Sequence, residues 1–395
     1  MEDDYEIKIS VQELELLRKG RDSDMDEDME KMIKQKLKDI NRGRLQEEDL
    51  FAPPEVTPPP LFTKLNSWNS PLFEQVIGTD IYYRSPTFDD RVKHMELIRI
   101  MFIARDQRQP DLYCHVMMAD GTKMSTRLVT QANLRVGAKD GGVLQGEVIC
   151  PWTPSQSPSS VTLSVSQSNV TNRWHAIQYH AFKSPDDLTY GVCLNARSLQ
   201  NADANSVMHW FDIYKLMGVE KVVLHQSNLS AADSELLGKY KGSSFIETIP
   251  WEIPFKVSDN GQYLADLDCF YRSMDTFSFL LYLDIGQYIV PGQYKTFEDL
   301  MEYLDLYPAA LPAFKIKLLC QREELQNIVF EGSKLDLQKT FDLQGTMKEE
   351  SQNSIIAVVR PQLVKNFDEI SNKTENLPSE IGSIIQYGKN SCIEM

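Results

Sequence analysis

The residue best placed for chemistry is Asp284, which directly follows the apolar run Phe279–Leu283. A run this apolar is typical of a strand that is buried on both faces of a sheet. A carboxylate at the end of such a strand can reach a ligand without burying its own charge. Oxygen atoms at this position could hold Mg²⁺ or Mn²⁺ against a diphosphate. The alternative is a strand-end aspartate that only caps a turn.

A second pair of carboxylates, Asp266 and Asp268, has the spacing of an Asp-x-Asp metal motif. The apolar residues around the pair recur at helical intervals, and residues two positions apart on a helix point about 200° away from each other. The two carboxylates are therefore not expected to share one metal ion. We expect Asp268 to line the ligand crevice and Asp266 to face solvent.

Other chemistries have little support in the sequence. The 6 histidines lack metalloprotease or zinc-finger spacing, and the 6 cysteines include no Cys-x-x-Cys pair. The chain has no Gly-x-Ser-x-Gly, Gly-x-Gly-x-x-Gly or P-loop sequence, which argues against hydrolase, dehydrogenase and nucleoside-triphosphatase functions. Cys193 and Cys269 are expected to be structural rather than reactive.

The elements that would position Asp284 lie in residues 187–395, where strand-like and helix-like segments alternate after Tyr190. Alternation of this kind predicts an α/β fold with crossover helices and a parallel sheet, whose ligands bind outside the carboxyl ends of the strands. The predicted segments are strands at Val192–Leu194, Lys221–Leu224, Phe245–Ile249 and Phe279–Leu283, and helices across Val207–Met217, Ala232–Tyr240 and Leu264–Met274.

The preceding part of the chain has a different texture. Residues 61–186 contain short β-like runs separated by turn signals, which predicts a small β-rich domain without chemistry of its own. Residues 1–60 are acidic and end in a proline-rich stretch, so we expect a disordered leader.

The overall composition limits the partners. The 395 residues include 57 acidic and 41 basic side chains, a net charge of −16, which argues against a broad nucleic-acid surface. No stretch approaches the roughly 20 apolar residues of a spanning helix, and acidic residues follow Met1 where a signal peptide would be basic. These observations leave a cytoplasmic location open.

Several strings together resemble glycosyltransferase family 92, and they occur in family order. They are Asp80–Arg91, Gly191–Asn195, Phe211–Val219, Gly261–Gln262 with Asp268–Cys269, and Tyr282–Pro291, with a weaker match at Val359–Pro361. The resemblance implies a GT-A type mixed sheet with crossover helices, and a hexosyltransferase that moves galactose from a UDP-sugar to a glycan acceptor. It also implies a Golgi or other secretory-pathway membrane location, through an anchor that this sequence does not contain.

The family holds a divalent metal, Mn²⁺ or Mg²⁺, with an Asp-x-Asp motif whose first member matches Asp284. The second Asp and the Glu after it correspond to Gly286 and Gln287, so only the neutral amide oxygen of Gln287 is left to contact the cofactor. Asp268 is assigned by its string to the donor pocket.

Two further departures concern proton transfer. Family histidines are replaced near Asp368 and at Gln386, and the carboxylates left as candidates for the base are Asp268 and Asp368. The changes keep an alternative open, in which the protein is a catalytically inactive relative that binds glycans or a protein partner as a scaffold.

Overall fold

The computed structural model describes much of the chain after residue 72. The described residues are 73–91, 96–106, 110–119, 124–130, 133–152, 157–168, 170, 173–179, 188–226, 235, 237–238, 240, 244–306, 312–319, 330–331, 334–335, 347–356, 358–361, 364, 375–378 and 380–387. The predicted leader 1–60 and most of the predicted helix Ala232–Tyr240 lie outside them.

The first half of the described chain forms two antiparallel sheets. Their strands are β1 (Glu74–Gln75), β2 (Ile81–Asp89), β3 (Leu97–Arg105), β4 (Leu112–Met118), β5 (Met124–Val129), β6 (Leu134–Asp140), β7 (Val143–Pro151), β8 (Pro158–Ser164) and β9 (His175–Ala176). One sheet has the order β1-β2-β3-β7-β6 and the other has the order β5-β4-β8-β9.

The two sheets face each other across one apolar core, which makes this region a β-sandwich. Phe102 and Val148 of the first sheet share the core with Val116 and Leu163 of the second. A disulfide between Cys114 in β4 and Cys150 in β7 links the sheets covalently. The predicted β-rich region is therefore present, although its predicted limits at 61 and 186 remain predictions.

The second half begins with an α/β region. Its elements are β10 (Tyr190–Leu194), α1 (Ala196–Asn201), α2 (Ala204–Leu216), β11 (Val219–Gln226), β12 (Ile246–Pro250), α3 (Gln262–Ser273) and β13 (Phe279–Leu283). Strands β10 to β13 are mutually parallel, in the order β12-β11-β10-β13. The parallel sheet predicted from the alternation is thus observed.

The remaining elements complete this half of the molecule. They are β14 (Gln287–Pro291), α4 (Phe297–Leu306), β15 (Pro312–Leu319), β16 (Phe330–Glu331), β17 (Lys334–Leu335), β18 (Met347–Ile356), β19 (Val358–Val359), β20 (Glu375–Asn376) and β21 (Gly382–Tyr387). Strand β19 extends the parallel sheet antiparallel to β13, and β14, β21, β15 and β18 form a separate mixed sheet.

Local sequence explains why α2 begins and ends where it does. The Asp203 carboxylate caps its first turn by accepting from the Ser206 N–H at 3.0 Å. The helix buries Trp210 and Tyr214 against the sheet, and it is followed by Gly218 with a φ of 89°, a conformation that favours glycine.

Helix α3 is covered on two sides, which determines how the two halves meet. It packs on β10 and β13 of the parallel sheet and on β2, β3 and β7 of the sandwich. The apolar cluster there includes Met101 and Ile103 from β3 together with Leu267 and Phe270 from α3. Strand β3 is buried on both faces because one face lines the sandwich core and the other covers α3.

A second disulfide, between Cys193 in β10 and Cys269 in α3, fastens the helix to the centre of the parallel sheet. This agrees with the structural role expected for the two cysteines. None of the helices in the described part of the chain has the length and apolar content needed to span a bilayer.

Candidate functional site

The site lies where the direction of strand addition reverses in the parallel sheet. From β10 the chain builds β11 and β12 on one side and then returns to place β13 on the other side. The carboxyl ends of β10 and β13 therefore lie next to each other, and they lead into Asn195 and Asp284. The Asn195 N–H donates to the Leu283 carbonyl at 3.2 Å, which holds these two ends together. Crevices at such reversals are where open α/β sheets bind ligands.

Asp284 is half-buried at this reversal, on a tight turn. Burial raises the pKa of its carboxyl group, and a side-chain hydrogen bond with Asn195 acts in the opposite direction. The Gln287 N–H donates to the Asp284 carbonyl at 3.0 Å, and Gly286 between them has a φ of 86°. A positive φ at the third position of a four-residue turn favours glycine. Gly286, which stands where the family motif has its second Asp, therefore has a backbone role here.

The turn is held rigidly by side chains from two elements. The Gln287 amide oxygen accepts from the Asp284 N–H at 2.9 Å, so the group expected to contact a cofactor is already bonded within the turn. The Gln287 carbonyl in turn accepts from Trp210 Nε1 at 2.9 Å and from the Tyr214 hydroxyl at 3.0 Å. Both aromatic side chains are fully buried, so they fix the position of the turn that carries Asp284.

The start of α1 is bonded to the same turn. Ser198 Oγ accepts from the Ile285 N–H at 2.9 Å and donates to the Asn195 carbonyl at 2.7 Å. The Asn195 amide oxygen accepts from the Arg197 N–H at 3.0 Å. Residues 195–198 and 284–287 consequently form one hydrogen-bonded unit at the carboxyl ends of β10 and β13.

The segment 251–260, between β12 and α3, borders this unit and also contacts the sandwich. The Arg197 guanidinium donates through Nη2 to the Ser258 carbonyl, and the Ser258 N–H donates to the Asp140 carboxylate at the end of β6. In the same segment, the Phe255 ring lies 5.3 Å from the Tyr82 ring and 4.9 Å from the Arg105 guanidinium. The sandwich therefore helps to fix one border of the crevice.

Asp268 does not line this crevice, in contrast to the sequence-based expectation. Its side chain is fully buried, and Oδ2 lies 2.6 Å from His225 Nε2 and 3.0 Å from Arg272 Nη2. Burial alone would raise the pKa of Asp268, but the Arg272 charge and the His225 hydrogen bond hold that pKa well below its usual range. The helical spacing explains the placement, because position 268 lies on the same face of α3 as Leu264 and Tyr271.

Asp266 has the place that had been expected for Asp268. Its carboxylate accepts from Gln262 Nε2 at 2.7 Å, and its carbonyl accepts from the hydroxyl of Tyr282 at 3.4 Å. Tyr282 belongs to β13, and Asp284 directly follows the end of that strand. Burial, with a contribution from the Asp284 charge, raises the pKa of Asp266 to about 7. Asp266 was expected to face solvent, but it is only partly exposed, because α3 packs on both the parallel sheet and the sandwich.

The other predicted residues contribute less to the described site. Asp368 lies outside the described residues, and Gln386 is described only by its backbone pairing in β21, with Gln287 of β14 and with Leu318 of β15. Within the described ranges, no three His, Cys, Asp or Glu side chains converge to hold a metal ion. The amide oxygens of Asn195 and Gln287 are both bonded to backbone N–H groups, which leaves the Asp284 carboxylate as the ligand that the turn offers. One carboxylate suffices for Mg²⁺ only when substrate phosphates and waters complete the shell.

A comparison with protein-family models identifies the region that contains this site. The model of glycosyltransferase family 92 matches residues 189–387, which is half of the chain. The chain belongs to glycosyltransferase family 92. A comparison with curated protein sequences finds no match. The family 92 region runs from β10 to β21 and includes the switch point, Asp284 and α3, whereas the sandwich lies before it.

The string Asp80–Arg91 lies outside the matched region of this family 92 protein, and the structure shows what it does. Arg84 Nη1 donates to the Pro250 carbonyl at 3.3 Å, and its guanidinium lies 4.8 Å from the Trp251 ring. Arg91 Nη1 donates to the carbonyls of Pro361 and Val364 at 2.6 and 2.8 Å. The string therefore binds the sandwich to the family domain.

Proposed function

We propose that this family 92 glycosyltransferase transfers a hexose, galactose, from a UDP-sugar to a glycan acceptor in the crevice between the carboxyl ends of β10 and β13, in a GT-A type domain. The observation that carries this proposal is the rigid turn that presents Asp284 at the topological switch point, next to Asn195. Such switch points bind nucleotide ligands in open α/β sheets. Fold alone does not choose the chemistry, and family membership supplies the reaction class.

Asp284 is proposed to orient the diphosphate of the donor. A divalent ion, Mn²⁺ or Mg²⁺, would bind to Asp284 together with the diphosphate oxygens and would neutralise charge on the leaving group. Asn195 is held beside Asp284 by the hydrogen bond from its N–H to the Leu283 carbonyl. The bonds from Trp210 and Tyr214 to the Gln287 carbonyl keep the turn from moving, so the position of Asp284 is set before any ligand arrives.

Asp266 is the described carboxylate best suited to accept a proton. In the transfer, the acceptor hydroxyl loses its proton as its oxygen bonds to the anomeric carbon, and UDP leaves with the electrons of the broken bond. A base is most effective when its pKa lies near the working pH, and the pKa of Asp266 is raised to about 7. Asp268 is a poor base because its pKa is held far lower. Asp368 stays a prediction.

The proposed location is the lumen of the Golgi or another secretory compartment. The two disulfides, Cys114–Cys150 and Cys193–Cys269, support it because such bonds persist in oxidising compartments and are rare in the cytosol.

A binding and transfer assay tests the function. UDP-galactose is titrated with and without Mn²⁺ while tryptophan fluorescence is followed, and release of UDP is then measured with glycan acceptors. Asp284→Asn should abolish Mn²⁺-dependent binding and transfer, whereas Glu220→Gln, an exposed carboxylate near the opposite ends of the strands, should change neither. Wild-type protein that binds no UDP-sugar under any condition would favour the scaffold alternative.

A further inference from the structure

We propose that Arg197 binds the diphosphate of the sugar-nucleotide donor and is a substrate-contacting residue of this transferase. The inference rests on the proposed function, since it assigns a further residue to the same crevice. It concerns a guanidinium that neither the Asp-x-Asp motif nor the family match singles out.

The position of Arg197 follows from the hydrogen bonds around it. It lies three residues beyond the end of β10, and its N–H donates to the Asn195 side chain, whose backbone N–H donates to the Leu283 carbonyl directly before Asp284. The adjacent residue, Ser198, accepts from the Ile285 N–H. Arg197 therefore lies in the same hydrogen-bonded unit as the turn that carries Asp284, at the strand ends where the ligand is expected.

The side chain of Arg197 is exposed, but a hydrogen bond to the segment 251–260 fixes its direction. Its Nη2 donates to the Ser258 carbonyl, and the Ser258 N–H is in turn bonded to Asp140 of the sandwich. These two bonds hold the guanidinium toward the segment that borders the crevice. A guanidinium carries five N–H donors in a planar fork, so a bond to one carbonyl leaves others for phosphate oxygens.

The charges around the crevice give such a cation a function. A diphosphate placed beside the Asp284 carboxyl group would bring negative charge to these strand ends. The family motif offsets this charge through a metal held by two carboxylates, but the turn here has Gly286 and an internally bonded Gln287 in place of the later motif residues. A fixed guanidinium at the same strand ends supplies positive charge that needs no protein carboxylate to hold it.

The test compares a neutral nucleoside with two diphosphate anions, and it uses variants that change one positive charge. Uridine, UDP and inorganic pyrophosphate are each titrated into the full chain by calorimetry, once in EDTA and once with Mn²⁺. We expect Arg197→Gln to weaken UDP and pyrophosphate binding by about 10-fold to 100-fold, the range for a charge-assisted hydrogen bond. Uridine binding should not change. Arg197→Lys should lie between the two, because a lysine keeps the charge without the fork.

Lys215→Gln is the matched control, since it removes one exposed positive charge in the last turn of α2, at the opposite end of the strands. It should leave all three affinities unchanged. The inference would be overturned if Lys215→Gln and Arg197→Gln weakened UDP binding equally. It would also be overturned if Arg197→Gln bound UDP as tightly as wild type. Either result would leave the proposed function intact. Pyrophosphate binding that depends on Arg197, in a protein that does not bind UDP or UDP-galactose, would support the anion site and refute the proposed donor. A wild-type protein that binds none of the anions would overturn both.

Discussion

Replacing Asp268 by asparagine should destabilise the protein rather than act on transfer alone. The carboxylate is fully buried between the His225 ring and the Arg272 cation, and its Oδ2 lies 2.6 Å from His225 Nε2 and 3.0 Å from Arg272 Nη2. Removing one member of a buried ion pair leaves the other charge uncompensated, which costs about 3–5 kcal/mol. We therefore expect Asp268→Asn to lower the free energy of unfolding by about 3–5 kcal/mol at pH 7.

The pH dependence of this loss has a defined sign. The pKa of Asp268 is lower in the folded protein than in the unfolded chain, where it is about 3.9. The ionised carboxylate therefore stabilises the fold above about pH 4, and that contribution declines as the pH falls below this value. The difference between wild type and Asp268→Asn should be constant from pH 5 to 7 and should narrow in more acidic solution.

Urea unfolding followed by circular dichroism measures both effects. Arg272→Gln and the double variant Asp268→Asn with Arg272→Gln complete a thermodynamic cycle, in which the double variant should lose less than the sum of the single losses. Glu220→Gln, an exposed carboxylate on β11, is the control for a change of one charge and should lose less than about 0.5 kcal/mol. A loss below about 1 kcal/mol for Asp268→Asn, with additive single and double variants, would refute the structural role assigned to Asp268.

Three other changes test the turn, the cross-link and a buried acid. Gly286→Asp, which restores the family residue, should cost about 1–2 kcal/mol in urea unfolding because φ is 86° there, and Gly286→Asn should cost less; equal stability of all three would contradict the turn assignment. Cys193→Ser combined with Cys269→Ser opens a disulfide that spans 76 residues, so guanidinium unfolding should show a loss of about 4 kcal/mol, and a loss under about 1 kcal/mol would show that the bond constrains little. Burial raises the pKa of Asp275 to about 7, so its ionisation costs stability as the pH rises from about 4 to 7. In thermal melts, the free energy of unfolding of Asp275→Asn should match that of wild type at pH 4 and exceed it by about 2–4 kcal/mol at pH 8. A difference that does not depend on pH would exclude this cause.

The strand pattern around Asp284 could be predicted because it depends on local periodicity. The apolar run Phe279–Leu283 has neighbours on both sides in the sheet, and a strand buried on both faces needs apolar residues at every position. Since ligands in such sheets lie at carboxyl ends, the residue after the run was the natural candidate. The order of the strands, which places Asn195 beside it, depends on long-range pairing and is not readable from single segments.

The exchange between Asp266 and Asp268 has a different cause. The helical period placed the two carboxylates on different faces of α3, but it did not say which face meets the crevice. The sandwich packs on one side of α3 and the sheet on the other, so Asp268 is buried and Asp266 is only partly exposed. The spacing of Asp268 and Arg272, four residues apart on one helix, is the signal that favours a buried pair.

The contacts that join the sandwich to the α/β half could not be predicted from the sequence. Arg84 and Arg91 lie in the string Asp80–Arg91, in which the sequence indicates a likeness to the family and no contact. Each bonds to backbone carbonyls more than 150 residues away, at Pro250 and at Pro361 and Val364. Backbone acceptors leave no trace in side-chain pattern, so the partner of such an arginine cannot be read from the sequence.

Because α3 packs on both the parallel sheet and the sandwich, the family 92 region depends on residues that precede it. A fragment that started at residue 189, the first position matched by the family model, would lack Met101, Ile103 and Val143, which pack against α3. The exposed face of α3 would be a hydrophobic patch, and patches of this kind promote aggregation. We therefore expect a fragment that contains the family 92 region to need the sandwich as well in order to keep α3 covered.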